Sequence, residues 1–95
     1  MANQLKQAWV AGSKTRVQNT TTEQTIKATA GILWTVIAAN SGTAATLAIA
    51  DGATTQIVLQ VPANDMVVVP FGVEFDTSIK ATPSATTVDA LFIYD

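Results

Sequence analysis

Acid–base chemistry in this sequence would have to come from carboxylates: Asp51, Asp65, Glu74, Asp76, Asp89 and Asp95 are the side chains that could pair as acid and nucleophile, as in glycoside hydrolysis. The chain contains no His and no Cys, so Ser-His-Asp and Cys-His sites, imidazole metal sites and thiolate ligands have no residues to be built from. Asp51 precedes Gly52, and Asp65 follows Pro62-Ala63-Asn64. Both are turn sequences, in which Asp serves local hydrogen bonding. Glu74 and Asp76 stand two apart on one expected strand face. That spacing holds Ca²⁺ only when several further oxygens join it, and no Asp-x-Asp-x-Asn-Gly loop supplies them. The five glycines, at 12, 31, 42, 52 and 72, are dispersed and form no phosphate cradle. The chain is therefore expected not to be an enzyme and to use no metal and no cofactor.

The aromatic residues Trp9, Trp34, Phe71, Phe75, Phe92 and Tyr94 could stack on sugar rings or bases. Trp34, Phe92 and Tyr94 fall at alternating positions inside expected strands, which assigns them to core packing. Trp9 and Phe71 fall in an arm and a corner. With Val10, they are the interface candidates. The basic residues Lys6, Lys14, Arg16, Lys27 and Lys80 are scattered and the net charge is only −2, which argues against a nucleic-acid footprint. No window approaches the ~20 apolar residues of a membrane-spanning helix, and the first residues contain no apolar signal core. These features predict a protein made in a cytoplasm, with no membrane and no nucleic-acid partner.

The elements that position these residues are strands. The chain has 95 residues, 48% of them hydrophobic and 13% charged, enough for one modest core and too apolar for disorder. Thr, Val and Ile favour pleated surfaces. Residues 31–40 are apolar on both faces, with Ile32, Trp34, Val36 and Ala38 expected on one and Leu33, Thr35, Ile37 and Ala39 on the other. Such a strand is central, or is covered by another subunit. Alternation predicts further strands over 25–29, 44–51, 54–61, 66–69, 73–75, 78–82 and 86–94, with turns at Asn40-Ser41-Gly42, Asp51-Gly52, Pro62 to Asp65 and Pro83 to Ala85, and a corner at Pro70-Phe71-Gly72.

The expected architecture is thus all-β: an antiparallel two-sheet sandwich, jelly-roll or Ig-like, of about eight short strands. Residues 1–22 form an extended N-terminal arm, tied down by Trp9, and residues 23–95 form the sandwich. Few Lys or Glu side chains are present to blunt exposed sheet edges, a liability that oligomerisation would remove.

Residues 32–52, ILWTVIAANSGTAATLAIADG, and 70–81, PFGVEFDTSIKA, carry a resemblance. The pattern of a strand, a Gly-containing turn, a strand ending in Asp-Gly, then Gly-Val-x-Phe and a closing hairpin resembles small β-sandwich structural proteins of tailed bacteriophages. The resemblance spans roughly residues 30–95 and leaves the arm unmatched; Ser78 stands where such sequences often place Gly. It implies a virion structural protein, a capsid decoration or cement protein or a head-fibre or tail-associated module, commonly homotrimeric, seated on the major capsid protein or another virion protein at the capsid surface. The alternative is a glycan-binding or host-attachment module on a phage or bacterial surface, which would use loop carboxylates and exposed aromatics.

Overall fold

Period-two alternation across most of the chain dictates strands that bury one face and wet the other. The computed structural model describes residues 12–95 and shows eight of them: β1 (Ser13–Val17), β2 (Gln24–Lys27), β3 (Gly31–Asn40), β4 (Ala45–Asp51), β5 (Thr54–Val61), β6 (Asp65–Phe75), β7 (Ile79–Pro83) and β8 (Val88–Tyr94). They form two four-stranded antiparallel sheets, ordered β1-β8-β3-β6 and β2-β7-β4-β5. The pairs β1–β8, β2–β7, β3–β6 and β4–β5 follow one rule: each strand pairs with the one as far from the other end of the series. The chain is one long hairpin rolled into two layers. That is the jelly roll of the two sandwich topologies expected.

Burial follows the alternation. Leu33, Val36 and Ala38 of β3, Leu47 and Ile49 of β4, Leu59 and Val61 of β5, and Ala90 and Phe92 of β8 meet between the sheets. Val17 and Ile26 complete the core from the edge strands β1 and β2. Most of the stability of so small a domain lies here, at about 1.5–3 kcal/mol for each fully buried aliphatic side chain. At the tip of the β4–β5 hairpin, Gly52 has φ +59, the left-handed conformation that a tight two-residue hairpin turn needs at its first position.

Three details differ from the sequence expectations, each for a physical reason. Ser13–Val17, placed in the arm by the sequence, is strand β1, hydrogen-bonded along β8. An edge strand needs few inward apolar residues, and here Val17 supplies the buried one. The corner at Pro70-Phe71-Gly72 is an irregularity inside one long strand, β6. Pro is tolerated there because β6 is an edge, and Gly72 takes φ +65. A matching irregularity in β3 falls between Leu33 and Thr35. The extra residue shifts the alternation, so Leu33 joins Val36 and Ala38 in the core, while Trp34 lies half-buried on the other face, its ring beside Gly72. The tie by Trp9 falls outside the described residues, as does Val10.

Candidate assembly interface

The carboxylates do not converge. Among the described residues no three of His, Cys, Asp and Glu gather at metal-ligating distance. Asp51, at the end of β4, spends both oxygens on backbone donors: the Asp76 N–H on Oδ2 at 2.8 Å, and the Thr77 and Ser78 N–H groups on Oδ1 at 2.8 and 3.3 Å. These donors, Asp76 first and Thr77 next, hold its carboxyl below the usual Asp range. The Gly52 N–H in turn donates to Ser78 Oγ at 3.2 Å. Ser78, where the resembling sequences often have Gly, is buried and clips the β4–β5 turn to the β6–β7 loop through its own hydroxyl. Asp76 lies beyond the end of β6 and does not share a strand face with Glu74. Asp89 forms a two-pronged pair with Arg16, Nε to Oδ1 at 2.8 Å and Nη2 to Oδ2, which fastens β1 to β8. Its hydrogen bonds lower the Asp89 carboxyl from its ordinary range and raise the Arg16 guanidinium.

The aromatic residues do not form a stacking platform within residues 12–95. Phe75 and Phe92 are buried, Phe71 and Tyr94 are half-buried against the core, and Tyr94 shares a hydrogen bond with Thr15.

The exposed chemistry is apolar and concentrated on one side. The edges of the two sheets at that side are β5 and β6, consecutive in the chain, joined by the short turn at residues 62–64 and in contact across the sandwich. Among the described residues, all five large exposed hydrophobic side chains lie on them: Ile57 (38% exposed), Val58 (47%), Met66 (59%), Val68 (48%) and Val73 (45%). Their directions follow from register. Val68 stands beside Ile37, and Met66 beside Ala39, on the outer face of the β3 sheet. Val58 stands beside Ala48 on the outer face of the β4 sheet. Ile57, opposite the buried Ile49, and Val73, opposite the buried Leu33, point inward at the seam. The apolar surface therefore wraps from one outer face, over the seam, to the other. In residues 54–73 the only charged side chain is Asp65.

Two features blunt the backbone edge of β6. The Met66 N–H donates to Asp65 Oδ1 at 2.7 Å, so it points away from β3 and is already satisfied. Val68 and Pro70 share that orientation by alternation, and Pro70 has no N–H to offer. Along this stretch that leaves the Val68 N–H as the outward donor with no partner among the described residues. The edge is guarded against strand addition while its side chains remain available for packing.

The end of β5 is held by Asn40, which is buried. Its Nδ2 donates to the carbonyls of Thr43 (2.7 Å) and Val61 (3.3 Å), and its Oδ1 accepts from the Gly42 N–H (3.0 Å) and the Thr87 hydroxyl (2.7 Å). Every hydrogen-bonding direction of the amide that matters to the turn is used, so Asn40 is a clip joining three loops and not a binding residue. Among the interface candidates from the sequence, Phe71 belongs to this side but packs inward from β6. Ile57, Val58, Met66, Val68 and Val73 were not singled out by sequence, although the scarcity of charge in residues 54–73, where Asp65 stands alone, was a visible signal. Compared with family models, with curated proteins and with solved structures, the chain gives no match.

Proposed function

We propose that this chain is a structural subunit that works by assembly: a virion structural protein, a capsid decoration or cement protein that self-associates and seats on the major capsid protein or another virion protein at the capsid surface. The observation that carries this reading is the β5–β6 side, where five large apolar side chains are exposed and one charge is found in residues 54–73. An exposed apolar surface of this kind marks an interaction site, because water-facing Val and Met on adjacent edges gain by burial against another surface. The jelly roll itself hosts both capsid and lectin domains, so the fold does not choose between assembly and glycan binding. The site favours assembly: its exposed groups are aliphatic, whereas sugar recognition draws on exposed rings and polar groups. The phage context comes from the resemblance over residues 32–52 and 70–81, which also implies three copies.

The test is electron microscopy of phage particles from cells producing this chain, labelled with an antibody raised against it. Label on heads is the expected result. Particles that contain no chain and take no label would overturn the virion reading.

A further inference from the structure

The four sheet edges differ in how they are protected. β1 carries Lys14 and Arg16, the latter paired with Asp89. β2 has four residues, a register break between Thr25 and Lys27, and a lysine. β6 has its Asp65 cap, Pro70 and the irregularity at Gly72. Each is a known device against strand addition. β5 differs: Thr54–Val61 (TTQIVLQV) has no charge, no proline and no glycine, the composition of a strand that pairs readily. Its register irregularity lies at Gln56, since Ile57 pairs with Ile49 and Thr55 with Ala50. Beyond it, Ile57 to Val61 pairs regularly with β4, and among the described residues no side chain caps the outer edge of this stretch.

We propose that the free edge of β5 pairs antiparallel with β5 of a second copy about a two-fold axis at Leu59. This deepens the assembly reading above and rests on it. Centring the axis on Leu59 keeps the ladder within the regular five residues. Ile57 then stands opposite the partner's Val61, and Val58 opposite the partner's Gln60. Apolar residues meet apolar ones on the core side of the sheet. With no charge anywhere on β5, two copies meet without the like-charge opposition that self-pairing of β1 would bring. The contact is isologous and closes after two copies. It joins the β4 sheets of two sandwiches into one of eight strands, and it covers Ile57 and Val58.

The chain has no cysteine, so introduced thiols report unambiguously. Val58→Cys and Gln60→Cys place thiols at two exposed positions that the pairing sets directly opposite each other, with Cβ atoms about 4.5–5.5 Å apart. Each variant alone has its two thiols on a diagonal, about 7–8 Å apart, where a disulfide is strained. An equal mixture of the two full-length variants, oxidised mildly, is expected to give several times more cross-linked dimer than either alone. A chain that self-associates but cross-links no better in the mixture overturns the pairing and leaves the assembly reading standing. A chain that stays monomeric at all concentrations overturns both. Cross-linking only to a different protein on particles also overturns the second copy as occupant.

Discussion

The two open sides of the sandwich solve the same problem in opposite ways. Where β1 and β2 form the edges, residues 18–23 cross from one sheet to the other, Val17 and Ile26 are buried, and Lys14, Arg16 and Glu23 are exposed, with Lys27 half-buried. Two ion pairs, Arg16–Asp89 and Lys80–Glu23, lie near this side. Where β5 and β6 form the edges, the seam is lined by Ile57 and Val73, both more than a third exposed, and charge is nearly absent. One side is finished against water and the other is not. The fold requires neither choice, since both pairs of edges arise from the same rolled hairpin. The difference therefore belongs to the side chains, and it is the ground for proposing that the unfinished side associates.

The contrast predicts where substitutions act. The largest loss of fold stability on the open side is expected from Asn40→Ala, which frees the end of β5 and leaves the Gly42 N–H and the Val61 and Thr43 carbonyls without their partner. Chemical denaturation should show a loss of about 2–4 kcal/mol. On the closed side Val17→Ala, which opens space beside a residue that is 3% exposed, should cost about 1.5–3 kcal/mol of folding stability and leave association unchanged in sedimentation. A reduced association constant there would break the distinction between the sides.

Acid should weaken the fold through Asp51 and Asp89, whose carboxyls are both lowered in the folded protein. The sign follows from linkage: their contribution is fully present above the unfolded Asp pKa of about 3.9 and is lost as pH falls through the lower folded values. Asp51→Asn should flatten part of this loss in an acid titration followed by circular dichroism. Arg16→Ala should remove only the Asp89 part, with an effect that shrinks as salt is added. The smallest change is expected at Thr35, fully buried with no hydrogen-bond partner for its hydroxyl among the described residues. Thr35→Val should leave stability within about 0.5 kcal/mol of the original or raise it, because no bond is lost and a buried polar group is removed.

Alternation alone was enough to place β3, β4, β5 and β8, because each holds a period of two over most of its length, with β4 and β8 departing from it only where Ile49-Ala50 and Phe92-Ile93 are buried side by side. It failed where one extra residue shifts the phase, as at Trp34, and where an edge strand lacks the apolar signal, as in β1. It also read Pro70 and Gly72 as a corner, since their compatibility with a strand depends on β6 being an edge. The site was less legible for the same reason. Ile57, Val58, Met66 and Val68 look like ordinary strand residues, and their exposure follows only from strand order, which period two does not specify. Asp51 was legible as a turn residue but not as the acceptor for three N–H groups of a loop 25 residues further on.

The central claim is that the β5–β6 side carries the assembly. Its most direct test is sedimentation equilibrium of the full-length chain beside a Val58→Lys/Val68→Lys variant and a Lys14→Ala variant. Lysines at two exposed positions should leave the monomer fold nearly unchanged while placing charge on the apolar surface. The account predicts a mass above the 9.9 kDa of one chain for the original and for Lys14→Ala, falling to one chain in the double variant. A monomer throughout, or an assembly that survives the two lysines and dissociates with Lys14→Ala, would contradict it.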